Sequence, residues 1–163
     1  MAGAVQRGGP ARNASGAAGP GQFAAIPTGR NLFCAGHITL ADGRAAPRLA
    51  QTRPDRALLA AYWDQLTEAL RVMAGLGLAH GDLSAFNLLA TENRIVLIDL
   101  PQVVDVVGNP QGPQFLARDV HRIADWFAAR GLPPEVGDAS ALLAELQLAL
   151  GVRRRNPGGG PHR

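Results

Sequence analysis

No lysine occurs in these 163 residues; all 16 basic side chains are arginine. One cysteine, Cys34, excludes an internal disulfide and fits a reducing compartment. No run of about 18 apolar residues is present, so no helix is expected to cross a membrane. No acid precedes Asp42, while Arg7, Arg12 and Arg30 do. An organellar transit peptide would share that bias, but the serine content and amphipathic stripe of one are missing. An apolar core of a secretory signal is missing too, and the expected location is cytoplasmic. The arginine bias gives a net charge of +3 and a pI near 10.4. Gene base composition produces such a bias equally well, so the charge bears on association with anions rather than on fold.

What is present suits one globular domain, with 47% apolar and 18% charged residues. Much of the glycine and proline sits at the two ends. Residues 1–30 read as disordered, 31–151 as the folded domain, and 152–163 as an Arg/Gly-rich tail. Within 31–50 a turn falls at Ala41–Arg44, followed by an extended run containing Pro47. From Asp55 to Ala74, Leu58, Leu59, Tyr62, Leu66, Leu70 and Met73 recur at three- and four-residue steps, which predicts an amphipathic helix. Pro54 is expected in its first turn, and Gly75 and Gly77 stop it. Two short apolar runs, Leu88–Ala90 and Ile95–Ile98, flank a turn at Thr91–Arg94 and predict a hairpin. Helices follow over Gln114–Ala129, with Phe115, Leu116, Val120, Ile123, Ala124 and Phe127 inward, and over 138–150.

Chemistry concentrates around that hairpin. Asp82 and Asn87 stand five apart in His80-Gly81-Asp82-Leu83-Ser84-Ala85-Phe86-Asn87, and Asp99 follows the second strand in Ile98-Asp99-Leu100-Pro101-Gln102. Antiparallel pairing brings Asn87 and Asp99 to one end of the hairpin, where oxygen ligands can share a hard cation. Taken singly, each of these residues reads as an ordinary turn or strand-end residue. Together they have the spacing of metal-assisted phosphoryl transfer, with an aspartate base, an asparagine ligand and an aspartate ligand.

The wording H-G-D-L-S-A-F-N-L-L, then I-D-L-P-Q, then Arg118-Asp119-Val120, resembles the RIO family of atypical serine/threonine kinases over about residues 36–131. Aminoglycoside-phosphotransferase-like kinases share the H-G-D-x-x-x-x-N loop, but Ser84 and Pro101-Gln102 favour RIO. The resemblance implies an α/β, protein-kinase-like C-terminal lobe, mainly helical with one small hairpin, and a truncated N-terminal lobe. Residues 31–50 would form the hinge, through Asp42-Gly43 and Pro47-Arg48-Leu49. It implies ATP as phosphoryl donor and Mg²⁺ or Mn²⁺ as cofactor, with Asp82 as base and Asn87 and Asp99 as metal ligands. Asp99 could also accept the phosphoryl group itself. His80, Ser84 and Asp119 would support the loop, Asp119 by holding its backbone from below. Partners would be ATP, an unnamed protein substrate, and a ribosomal or RNA surface. The sequence departs from the family in lacking the lysine that neutralises the α- and β-phosphates, a role arginine does not fill equivalently. The alternatives are a binding module built on a truncated or inactive C-lobe, and an aminoglycoside-phosphotransferase-like small-molecule kinase.

Overall fold

The computed structural model describes Ile38 and residues 40–155. The expected disordered start over 1–30, Cys34, and residues beyond 155 lie outside them. Helix α1 spans Arg56–Gly75. Its start is set by Asp55, whose carboxylate accepts the Leu58 N–H at 2.8 Å. Pro54 therefore lies one residue ahead of the cap rather than in the first turn, since a proline ring offers no oxygen to the free N–H groups of a helix start. Leu59, Tyr62, Leu66, Leu70 and Met73 are buried, and Trp63 and Ala69 widen the stripe. Leu58 is only half-buried. The helix ends where Gly77, at φ +80°, donates to the Ala74 carbonyl at 2.8 Å.

Strand β1, Leu78–Ala79, leaves α1 directly and pairs antiparallel with β4, Val104–Asp105. Strands β2, Leu88–Ala90, and β3, Ile95–Leu97, form the expected hairpin, with Leu88 opposite Leu97 and Ala90 opposite Ile95. The extended run before α1 lies against it. Ala90 N–H donates to the Pro47 carbonyl at 2.9 Å, and Arg48 bridges to Leu89.

Helix α1 grips the turn end of this hairpin. Tyr62 donates its hydroxyl to the Thr91 carbonyl, and Gln65 donates to the Asn93 carbonyl at 2.9 Å. The Ile95 N–H in turn donates to Gln65 Oε1 at 3.1 Å.

Helix α2 runs over Gly112–Ala129, starting two residues earlier than expected because Pro113 fits the first turn. Its inward residues are buried except Phe115, which is half-buried under the Arg118 guanidinium, 4.9 Å above its ring. Helix α3 spans Ala139–Arg155 and continues five residues past its expected end. Arginine is a good helix former, so the arginine run extends the helix rather than ending it. Phe127 of α2 joins the layers, with edge-on contacts to Trp63 and Trp126 at ring separations of 5.2 Å. No helix among the described residues is long and apolar enough to cross a membrane.

Candidate functional site

The 80–87 loop lies between β1 and β2, over the middle of α2. Gly81 can sit there only as glycine. Its φ is +88°, and a Cβ would fall 2.4 Å from the Gln102 carbonyl oxygen. The loop is thus pressed against the segment that follows Asp99.

Neighbouring residues of α2 hold this glycine from both sides. Asp119 Oδ2 accepts the Gly81 N–H at 2.7 Å, and Oδ1 accepts the Leu83 N–H at 3.0 Å. Arg118 donates to the Gly81 carbonyl. Asp119 is buried, and burial pushes its carboxyl above the usual carboxylate range. The two N–H bonds and the nearby His80 and Arg118 pull the other way without overcoming it.

His80 is fully buried and donates from Nε2 to the Ile98 carbonyl at 2.9 Å, so the loop is tied to the end of β3. Its Nδ1 is buried and has no hydrogen-bond partner among the described residues. Ser84 is half-buried; its carbonyl accepts the Asn87 N–H at 2.9 Å in a single 3₁₀ turn over Ala85–Asn87.

Hairpin pairing sets Asn87 and Asp99 at one end of the β2–β3 pair, and a side-chain bond ties Asn87 to the loop at Asp82. Ile98 N–H donates to the Asn87 carbonyl at 3.0 Å, so Asp99 stands one residue beyond Asn87 across the pair. Asn87 Nδ2 donates to the Asp82 carbonyl at 2.8 Å. With its amide nitrogen committed, the oxygen Oδ1 is left as an available acceptor. Asp99 is exposed and has a left-handed backbone, φ 67° and ψ 38°. Among the described residues it is the one non-glycine with positive φ. Gln102 Nε2 donates to its Oδ2 at 2.6 Å.

The contacts of three arginines around the loop were not foreseen from the sequence, although Arg48 and Arg118 stood within its motifs. Arg48 donates to the Phe86 carbonyl, Arg118 holds Gly81, and Arg122 Nη1 pairs with Asp82 Oδ1 at 2.7 Å. The signal for Arg122 was its place one turn after Arg118 on the same helical face. A cavity of about 500 Å³ opens beside Asp82, lined by Ser84, Phe86, Asn87, Arg122 and Trp126.

No group of three or more His, Cys, Asp or Glu side chains among the described residues could hold a metal ion. An asparagine–aspartate pair still fits Mg²⁺, which takes one or two protein oxygens and fills its remaining positions with water and phosphate.

Comparison with known proteins gives the family. A family model described as RIO domain matches residues 25–139. The chain is 34% identical over 106 residues to the RIO-type serine/threonine-protein kinase Rio1 of Haloferax volcanii, covering 65% of this chain and 35% of that one. It is 29% identical over 103 residues to the protein of the same name from Thermoplasma acidophilum, covering 63% and 52%. A serine/threonine-protein kinase RIO3 of Caenorhabditis elegans matches over 57 residues at 44% identity, covering 34% and 11%. The chain thus spans between a third and about half of the length of the first two relatives. A RIO domain carries a protein-kinase-like fold, and the helix-rich body with short antiparallel pairs is consistent with one. On the match over residues 25–139, this chain belongs to the RIO family.

Proposed function

We propose that the chain carries the acceptor and metal side of an ATP-dependent phosphoryl-transfer site of the serine/threonine kinase type. Asp82 takes the proton of the acceptor hydroxyl. Asn87 Oδ1 and the Asp99 carboxylate hold the metal, Mg²⁺ or Mn²⁺. When bound, that metal neutralises phosphate charge. The observation that carries this reading is the hydrogen bond from Asn87 Nδ2 to the Asp82 carbonyl at 2.8 Å, which ties the base's backbone to a ligand side chain.

Gln102 orients Asp99 by its bond to Oδ2, and Asp119 fixes the loop that presents Asp82. Fixed positions matter because phosphoryl transfer gains mainly from orientation and charge stabilisation. The absence of lysine from these 163 residues favours a second reading, in which the same surface binds a partner without turnover.

The test is calorimetry of Mg²⁺-dependent ATP binding to the chain and to its Asp99→Asn variant. The expected result is binding that requires the divalent cation and is lost in the variant. Binding equal in both proteins would remove Asp99 from the metal site. No binding in either would leave the partner-binding reading.

A further inference from the structure

The cation beside Asp82 has no part in the reading given above. Arg122 projects from α2 into the mouth of the 500 Å³ cavity, and its side chain is 50% exposed. Among the described residues one of its five N–H donors is engaged, by Asp82 Oδ1 at 2.7 Å. The Asp82 side chain is itself 42% exposed. A single contact between two half-solvated groups exchanges readily for a better partner. A carboxylate that can meet both edges of the guanidinium fork is such a partner.

The rest of the cavity wall suits a peptide. Phe86, which lines it, is 62% exposed. Trp126 lines it too, one helical turn beyond Arg122, and the Arg130 guanidinium lies 4.5 Å over its ring. Arg130 is already committed, donating to the Thr52 carbonyl at 2.8 Å, and Arg118 is committed to Gly81. Arg118 and Arg122 stand four residues apart on α2 and Arg130 follows just past its end; of the three, Arg122 alone lines the cavity that holds Asp82.

We propose that Arg122 is a specificity residue that selects an acidic peptide as phosphoacceptor. In the resting chain its guanidinium sits on Asp82. A carboxylate flanking the acceptor serine or threonine takes the guanidinium over, and Asp82 Oδ1 is released to face the hydroxyl. Acceptor recognition and exposure of the base are then one event. The proposal rests on Asp82 being the base, but its binding half can be measured without turnover.

The experiment uses the full chain and two fluorescently labelled peptides, a serine flanked by aspartates and the same serine flanked by asparagines. Affinity is read by anisotropy, without nucleotide, for wild type, Arg122→Gln and Arg122→Lys. A charge-assisted pair predicts about tenfold or more tighter binding of the aspartate peptide to wild type. The preference should vanish in Arg122→Gln and fall to an intermediate value in Arg122→Lys, which keeps the charge without the fork. Equal binding of the two peptides by wild type overturns the proposal, as does an undiminished preference in Arg122→Gln. Equal peptide binding combined with tight binding of a single-stranded RNA would reassign the surface to nucleic acid. Mg·ATP calorimetry on the same preparation separates the two readings. A peptide preference that depends on Arg122, without nucleotide binding, would sink the phosphoryl-transfer reading and leave the acidic-peptide site standing.

Discussion

Asp119 accepts the N–H of Gly81 at 2.7 Å from the middle of α2, and with its other oxygen that of Leu83 at 3.0 Å. One carboxylate thereby fixes both flanks of Asp82. Asp119→Ala would strand two loop donors, at a cost of about 1–3 kcal/mol for each one left buried and unpaired. Urea unfolding monitored by tryptophan fluorescence measures the loss. A change below about 0.5 kcal/mol would mean that the loop re-pairs with water.

The same residue gives stability a pH dependence. Burial raises the Asp119 carboxyl above its ordinary value of 3.8, so the folded chain binds that proton more tightly than the unfolded chain does. Its contribution is fully present below the ordinary value and is lost as pH rises through the raised folded value. Wild type should therefore gain on Asp119→Asn as pH falls from neutral towards the ordinary carboxylate range. A series of urea midpoints for the two proteins checks this. A gap that stays constant with pH would show that the two N–H bonds balance burial.

Gly81→Ala combines a disfavoured positive φ with a Cβ 2.4 Å from the Gln102 carbonyl oxygen. Strain and overpacking together predict a loss of about 2–4 kcal/mol. The displaced Pro101–Gln102 segment should also release Asp99 from Gln102, so metal-dependent nucleotide binding weakens alongside stability. Thermal unfolding and calorimetry on one preparation read both effects. Stability lost with metal-dependent binding intact would uncouple the loop from Asp99.

Asp82→Asn removes the proposed proton acceptor but keeps the side chain's shape and its place beside Arg122. Turnover on an acceptor peptide should fall by about 10²–10⁴-fold, the usual contribution of a general base, while nucleotide affinity changes little. Single-turnover transfer of labelled phosphate measures this. Undiminished transfer would take the base role away from Asp82.

The parts of the fold that repeat locally could be read from the sequence. Helix α1 announced itself by Leu59, Tyr62, Leu66, Leu70 and Met73 at helical spacing, and the hairpin by two apolar runs about a polar turn. That Asn87 and Asp99 stand at one end of the hairpin followed from antiparallel pairing alone. Strands β1 and β4 were illegible because each has only two residues, too short for a period, and their pairing joins Leu78 to Asp105 across the whole site. The Arg122–Asp82 contact was hidden for the same reason. Forty residues separate the pair, and only the packing of α2 under the loop makes them neighbours. Gln102 stood within a recognised motif, yet its bond to Asp99 depends on a left-handed turn that apolar periodicity does not reveal.

That left-handed turn narrows the substitutions position 99 can accept. Glycine, asparagine and aspartate adopt the conformation at little cost, and most other residues lose about 1–2 kcal/mol from backbone strain before any ligand is considered. From an aspartate codon, glycine and asparagine are each one base change away. Should position 99 serve the proposed phosphoryl transfer, a lineage that gave it up would drift here first to those two residues, because backbone geometry would go on filtering the gene after selection for the chemistry had relaxed. The residue found at this position in a descendant chain thus records two separate constraints, and only the replacement of aspartate by glycine or asparagine reports on the loss of one alone.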